Sequence, residues 1–112
     1  MYSEELLKGT LSAIILNLLA ENEKMYGYEI FQRVKEQSDG KILIKDGSLY
    51  PALQKMTKDG LLSYKEEYIG KRVRKYYFLT TKGESEKVRR LAELKDFVAT
   101  LNKLVFPELK IV

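Results

Sequence analysis

The chain lacks the residue types that metal sites and catalytic centres use most often. Its 112 residues contain no cysteine and no histidine, and tryptophan is also absent. Without cysteine there are no disulfides and no thiolate metal ligands, and without histidine only carboxylates remain as ordinary metal ligands. The commonest general base and the strongest nucleophile are missing for the same reason. We therefore expect no catalytic residues, no metal site and no cofactor.

Long hydrophobic runs are missing as well. The longest mostly apolar stretch, residues 11–20, is about half of the roughly 18 residues needed to span a bilayer. The acidic residues Glu4 and Glu5 before it are the wrong flank for a signal peptide. We therefore expect a soluble, cytoplasmic protein with no membrane partner. At 45% hydrophobic content, the chain can close a single core.

The middle of the chain has the pattern of a short helix. Its apolar positions lie four and three residues apart, which gathers them on one side of a helix. These positions are Leu49, Leu53 and Met56. The polar positions opposite them are Ser48, Gln54, Lys55 and Lys58. Pro51 suits a position near the helix start and Gly60 a position after its end, so we predict a helix over residues 48–59.

A basic β-hairpin is predicted directly after this helix. Residues 61–68 and 72–79 suit strands, and Gly70 marks the turn between them. Four cations near the turn should point into solvent: Lys71, Arg72, Arg74 and Lys75. Over residues 45–75, basic residues outnumber acidic ones eight to four, a difference equal to the net charge of +4 of the whole chain. A local excess is typical of nucleic-acid binders, although charge alone would favour an ordinary solvated surface. The short helix directly before the hairpin reverses this preference.

Two further helices are predicted before this pair of elements. The first covers residues 3–20 and should be buried over much of its circumference, and the second covers residues 26–37. Residues 41–45 could form a short strand or simply the turn to the third helix. Three helices followed by a hairpin form a winged helix-turn-helix, in which the third helix enters the major groove and the wing touches the nearby backbone.

A long amphipathic helix is predicted after the hairpin. It begins near Thr80 or Thr81, and Thr81 with Glu84 fits the spacing of a capping box. Its apolar stripe comprises Leu91, Leu94, Val98, Leu101 and Val105. Because the first three helices and the hairpin already close a core, this stripe predicts contact with a second copy of the chain, joined by Leu7 and Leu11 of the first helix. The alternative is that the helix folds back on its own domain.

The predicted fold class is therefore α+β and mostly helical. Residues 1–80 are expected to form a winged helix DNA-binding domain, and residues 81–112 a C-terminal dimerisation helix and tail.

Four motifs resemble those of the PadR-like family of bacterial transcriptional regulators, particularly its short branch with a single C-terminal helix. The motifs are LLKGTL (6–11), YGYEI (26–30), GSLYPAL (47–53) with GL (60–61), and GKR, RKYY and LT (70–80) with Gly83. The resemblance implies a homodimer, joined through the C-terminal helix, that binds an inverted-repeat operator in double-stranded DNA. It further implies repression of a neighbouring gene, often one for detoxification or efflux.

The resemblance also assigns the DNA contacts. Tyr50 would reach a phosphate, while Ser48 and Gln54 would face base edges or phosphates. The backbone cations would be Lys45, Lys55, Lys58, Lys71 and Arg72. Side-chain chemistry agrees, since amides and hydroxyls can both donate to and accept from base edges, whereas lysine mainly senses charge. Tyr26 and Tyr28 could either touch phosphate or simply pack at the start of the second helix.

Two departures from the family pattern concern effector binding and the wing. Some drug-sensing members carry a tryptophan on the C-terminal helix that stacks flat ligands, and this chain has none. Phe97 or Phe106 could line a pocket for a small aromatic or hydrophobic effector instead. Val73 stands where many relatives have proline, which should change the stiffness of the wing. The competing interpretation of the whole chain is a winged helix module that applies its basic wing to an acidic protein partner.

Overall fold

The computed structural model describes residues 2–108, which form five helices and one two-stranded antiparallel sheet. The elements are α1 (Glu4–Leu7), α2 (Leu11–Glu21), α3 (Gly27–Gln37), α4 (Asp46–Lys58), β1 (Leu62–Ile69), β2 (Arg72–Leu79) and α5 (Thr81–Val105). The predicted α+β class, with a hairpin after the helix-turn-helix and a long helix after the hairpin, is confirmed. None of the helices in residues 2–108 is long and apolar enough to cross a membrane. The predicted tail after residue 108 lies outside the described residues.

The prediction of one continuous helix over residues 3–20 is wrong. The structure has two helices there, separated at Gly9, whose φ of +89° is a left-handed conformation that an α-helix does not use. Ser3 still caps α1, because its hydroxyl accepts a hydrogen bond from the Leu6 N–H at 3.4 Å. Apolar periodicity missed the break because Leu7 and Leu11 are four residues apart and keep the helical spacing across it.

The core lies between α2, α3, α4 and the hairpin. Its fully buried side chains are Ile15, Leu16, Met25, Ile30, Leu49, Leu53 and Leu62. Burial of one large aliphatic side chain contributes about 1.5–3 kcal/mol, so these positions dominate the stability of the domain. The predicted inner face of α4 is confirmed, and its opposite face is therefore directed away from the core.

The segment between α3 and α4 is a link rather than a strand. Residues 41–45 pair with no strand within residues 2–108, while the buried side chain of Ile44 holds the link against the core. Helix α4 begins at Asp46, two residues before the predicted start. Pro51 lies in its second turn, where proline lacks the N–H that would bond to the carbonyl of Gly47.

The hairpin is attached to the helical part of the molecule by backbone pairing. Its two strands are joined by a two-residue turn, Gly70 and Lys71, because Ile69 pairs with Arg72. Farther from the turn, Met25 and Tyr77 exchange two backbone hydrogen bonds of 3.0 and 2.8 Å. Met25 lies two residues before Gly27, the first residue of α3, so this pairing sets where the hairpin lies relative to that helix.

Helix α5 begins against the end of the hairpin. The Thr80 hydroxyl caps it by accepting from the Gly83 N–H at 3.0 Å, so the predicted capping box of Thr81 and Glu84 is wrong. Gly83 is buried, and a methyl group on it would overlap the carbonyl oxygen of Leu61. This contact explains a glycine in the first turn of a long helix, where helix propensity disfavours it.

Candidate nucleic-acid interface

The outward face of α4 carries the polar residues that the sequence assigned to DNA. Ser48, Tyr50 and Gln54 are all exposed, while Leu49 and Leu53 between them are buried. Ser48 and Tyr50 lie at opposite edges of this exposed surface, because residues two apart in a helix point in different directions, and Gln54 lies between them. Exposed hydroxyl and amide groups are what reading of base edges in a major groove requires. This face therefore meets the geometric condition for a recognition helix.

Tyr50 is held by a contact that the sequence did not predict. Its ring lies on the first turn of α3, where a methyl group on Gly27 would be only 2.8 Å from the Tyr50 Oη. The tyrosine nevertheless keeps 43% of its surface exposed. Residues 27 and 50 belong to different helices and share no local pattern, so only the tertiary structure could reveal the contact.

The four cations predicted at the hairpin turn have two different environments. Lys71 and Arg72 are exposed, and neither forms an ion pair with another residue within 2–108. Lys75 is also exposed, with its Nζ 4.6 Å from the centroid of the Tyr64 ring. The prediction is wrong for Arg74, which is half-buried.

Arg74 packs on the start of α3 because successive residues of a strand point to opposite faces, and Arg74 points to the α3 side. Its guanidinium carbon lies 4.3 Å from the centroid of the Tyr26 ring, which is cation–π geometry. A side-chain hydrogen bond with Tyr76 raises the pKa of Arg74 above its ordinary value, so the group is a permanent cation. The structure thus adds Arg74 to the cations near α4.

An open recess lies where α3, α4 and the hairpin meet. It has a volume of about 590 Å³ and is lined by Tyr26, Tyr28, Tyr50, Arg72, Val73 and Arg74, which together we name the tyrosine–arginine recess. Phenol hydroxyls and guanidinium N–H groups are hydrogen-bond donors, and guanidinium binds phosphate with particular strength. The recess therefore joins one residue of the outward face of α4 to the cations of the wing in a surface suited to an anion.

The remaining predicted cations follow α4 along its length. Before its first turn, Lys45 Nζ lies 3.0 Å from the Glu4 carboxylate, and in its last turn Lys55 Nζ lies 3.4 Å from Asp59. Both pairs are exposed, so each contributes little to stability. Either lysine can therefore leave its carboxylate and bind another anion such as a phosphate. Lys58 forms no ion pair within the described residues.

The residues predicted for a dimer interface fall into two groups. Leu7, Leu11, Leu91 and Leu94 are half-buried within the protomer. Val98, Leu101 and Val105 are exposed along the distal half of α5. The alternative in which this helix folds back holds for its proximal half only, where the Arg90 guanidinium donates to the Ser12 hydroxyl of α2 at 2.6 Å.

The phenylalanines proposed for an effector pocket lie on or just after α5. Phe97 is 55% exposed and lines a groove of about 390 Å³ between the start of α2 and α5, together with Leu94. Phe106 follows the helix and is 49% exposed. Phe97 is therefore next to half-buried apolar surface, whereas Phe106 does not line this groove.

The fold and this surface together define a winged helix-turn-helix protein. The model of the PadR-like family of transcriptional regulators matches residues 15–89, from α2 into α5, and the chain belongs to that family. Membership makes it a transcriptional regulator and not an enzyme. Three solved structures of similar proteins extend the comparison beyond the matched residues.

A transcriptional regulator from Clostridium thermocellum is 28% identical, with a TM-score of 0.85 over 91% of this chain and 99% of that chain. A PadR-like transcriptional regulator from Bacillus cereus is 27% identical, with a TM-score of 0.76 over 92% of this chain and 98% of that chain. PadR of Bacillus subtilis, solved in complex with operator DNA, is 29% identical, with a TM-score of 0.67 over 76% of this chain and 48% of that chain.

Proposed function

We propose that this regulator binds double-stranded DNA sequence-specifically, with α4 in the major groove and the hairpin on the adjoining backbone. The observation that carries the proposal is that the exposed face of α4 and the wing cations meet in the tyrosine–arginine recess. The complex of Bacillus subtilis PadR with operator DNA supports it, because that protein has a similar fold. Family membership of this chain supports it independently.

Different side chains serve different parts of this contact. Ser48 and Gln54 face base edges, since hydroxyl and amide groups both donate and accept. Tyr50 donates its hydroxyl hydrogen to a backbone phosphate seated in the tyrosine–arginine recess, beside Arg72. The other phosphate contacts come from Lys45, Lys55, Lys58 and Lys71. These contacts hold the protein in position on the duplex, whereas the base contacts provide the sequence preference.

The regulator acts as a homodimer on an inverted repeat and represses the gene beside it. The exposed apolar residues of distal α5 support dimerisation, because an amphipathic helix buries its apolar stripe against a partner. Leu7 and Leu11 complete the interface near the start of α2. A two-fold symmetric dimer presents two copies of α4 and therefore matches an operator with two-fold symmetry. Residues 1–80 bind DNA in this arrangement, and residues 81–112 join the protomers.

A small aromatic or hydrophobic effector releases the dimer from DNA. The groove beside Phe97 and Leu94 supports this part of the proposal, because it borders the apolar residues of α5 that form the dimer interface. A ligand seated there would contact both the winged helix domain and α5. It could thus change the distance between the two recognition helices.

Selection of bound duplexes from a random DNA pool tests DNA binding and symmetry together. We expect an enriched inverted repeat whose half-sites are about one helical turn apart. Affinity for it should fall by orders of magnitude between about 50 and 200 mM salt, since several phosphate contacts release counterions. Absence of any enriched sequence would contradict the proposal. An affinity insensitive to salt would instead favour a winged helix module that binds an acidic protein.

A further inference from the structure

Gly27 has no side chain, and the ring of Tyr50 packs directly against it. It is the first residue of α3 and is buried beneath the ring of Tyr50. We propose that Gly27 is a positioning residue: the absence of a β-carbon lets Tyr50 lie on α3 and hold its hydroxyl in the tyrosine–arginine recess. The inference rests on the proposed function, because it concerns the phosphate contact of Tyr50.

The space above Gly27 is filled by the far end of the tyrosine ring. A β-carbon on Gly27 would lie 2.8 Å from Tyr50 Cε1, 2.8 Å from Oη and 3.0 Å from Cζ. Carbon atoms in favourable contact are about 3.5–4.0 Å apart, so the ring would have to move. The three nearest atoms all belong to this one side chain, which is 43% exposed, so the ring has solvent on one side into which it can move. The backbone therefore need not shift.

The backbone conformation does not explain a glycine at position 27. Gly27 is in an α-helix, and its φ is not among the positive values, which occur at Gly9, Gly40, Gly60 and Gly70. Conformational freedom is thus not what the position requires. Helix propensity would favour almost any other residue than glycine. What remains is the close approach of Tyr50.

Gly83 provides a matched control on another helix. It also lies in the first helical turn and is buried, but a methyl group there would meet the Leu61 carbonyl, which is backbone. Alanine at position 83 should therefore lower the melting temperature without altering Tyr50. Alanine at position 27 should displace the Tyr50 ring and leave the melting temperature almost unchanged, because a side chain can move where a backbone carbonyl cannot.

The experiment measures binding of the full-length protein to a labelled mixed-sequence duplex at low salt, because a phosphate contact does not depend on the operator. Five variants are compared with the wild type: Tyr50→Phe, Tyr50→Ala, Gly27→Ala, the double variant Gly27→Ala/Tyr50→Ala, and Gly83→Ala. We expect Tyr50→Phe and Gly27→Ala each to weaken binding about tenfold or more, the effect of losing one hydrogen bond to a charged group. Gly27→Ala should melt within a few degrees of the wild type.

The double variant separates positioning from a general structural role. If Gly27 acts through Tyr50, then Gly27→Ala should weaken binding no further once the ring is gone, as for any pair that acts as a unit. Gly83→Ala should melt at a lower temperature and, while folded, bind DNA like the wild type. This pattern supports the inference, and an added loss of affinity from Gly27→Ala in the Tyr50→Ala background overturns it.

The remaining outcomes distinguish this inference from the proposed function. Wild-type binding by Tyr50→Phe would overturn the phosphate contact and the inference with it. Weakened binding by Tyr50→Phe together with wild-type binding by Gly27→Ala would overturn the inference alone. Failure of Gly27→Ala to fold would also overturn it, because the ring would then not be the group that yields.

Discussion

The tyrosines of this chain differ in what surrounds their rings, and this difference separates core from surface. Tyr77 is buried, and desolvation raises the pKa of its phenol above the ordinary value. Tyr26 is half-buried, and the Arg74 guanidinium covers one face of its ring. Tyr50 is the one that combines a packed ring with an exposed position on α4. Burial, rather than the residue type, thus separates Tyr77 in the core from Tyr50 on the surface.

The sequence predicted most of the candidate site at the residue scale. The spacing of Leu49, Leu53 and Met56 determined which face of α4 is exposed, and hence the outward direction of Ser48 and Gln54. Arg74 was assigned the wrong environment, although strand alternation contains a usable signal. Residues 72 and 74 lie on one face of β2 and residues 73 and 75 on the other, so Arg74 need not share the environment of Lys75.

Gln54→Ala and Arg72→Ala should change DNA binding in different ways. Gln54→Ala removes the amide group that we propose reads base edges, so we expect a changed order of preference among duplexes. Arg72→Ala removes a proposed phosphate contact, so affinity should fall for every sequence. The slope of log affinity against log salt concentration should decrease in magnitude by about one. Titration of a small panel of duplexes at several salt concentrations measures both effects. An unchanged order of preference in Gln54→Ala would contradict its assignment to base reading.

At the scale of elements, the junction of α5 with α2 depends on a small polar network. Glu86 accepts hydrogen bonds from the guanidinium groups of Arg89 and Arg90, and Arg90 also donates to Ser12 on α2. The hydrogen bond from Arg89, followed by that from Arg90, lowers the pKa of Glu86 below its ordinary value. Glu86 is therefore charged at neutral pH and orients Arg90 toward α2.

Glu86→Gln should make the protein less stable at neutral pH and less sensitive to mild acid. Because the pKa of Glu86 is lower in the folded than in the unfolded state, its stabilisation is present above the unfolded pKa and is lost as the pH falls through the folded one. The difference in melting temperature between variant and wild type should therefore shrink as the pH falls below that of a free glutamate. Melting curves across this range measure it.

Glu93→Gln is the matched control for this prediction, since it makes the same change of charge on the same helix. The Glu93 carboxylate is 3.8 Å from Arg89, and its side chain is 76% exposed, so the pair contributes little. We expect its melting curves to follow those of the wild type throughout the range. A shift as large as that of Glu86→Gln would mean that net charge, and not the network, sets the stability.

Three parts of the fold show what local sequence patterns can and cannot predict. Periodicity predicted the inner face of α4 because Leu49, Leu53 and Met56 recur at helical spacing and face the same core. The same reasoning joined α1 and α2, because it follows side-chain spacing and does not register the backbone conformation of Gly9. The reason for Gly83 could not be predicted from local patterns, since the carbonyl of Leu61 that requires it comes from another part of the chain.

At the scale of the whole molecule, distal α5 extends beyond the compact winged helix domain. The described residues measure 56 × 30 × 21 Å. This length fits a helix of 25 residues, about 37 Å long at 1.5 Å per residue, of which only the first half packs on the domain. Its second half exposes Val98, Leu101 and Val105 in the isolated protomer. In the proposed dimer, these three residues are buried against a second copy of the chain.

Val98→Asp should convert the dimer to a monomer, because a buried carboxylate without a partner is costly. Thr100→Asp is the control, since it also adds one negative charge to exposed α5 but points away from the apolar stripe. Sedimentation equilibrium measures the mass of each variant. We expect the dimer mass to persist in Thr100→Asp. A dimer mass for Val98→Asp as well would place the interface elsewhere.

The sequence by itself determined the order of helices and hairpin apart from the break at Gly9, the buried face of α4 and the local excess of positive charge. These properties follow from spacing and composition within one element, which are local. Only the tertiary structure decided that Gly27 lies under Tyr50, that Arg74 packs on Tyr26 while Arg72 stays in solvent, and that Gly83 meets a backbone carbonyl. Each of these contacts joins residues from different elements, and their distances depend on how the elements pack around the common core.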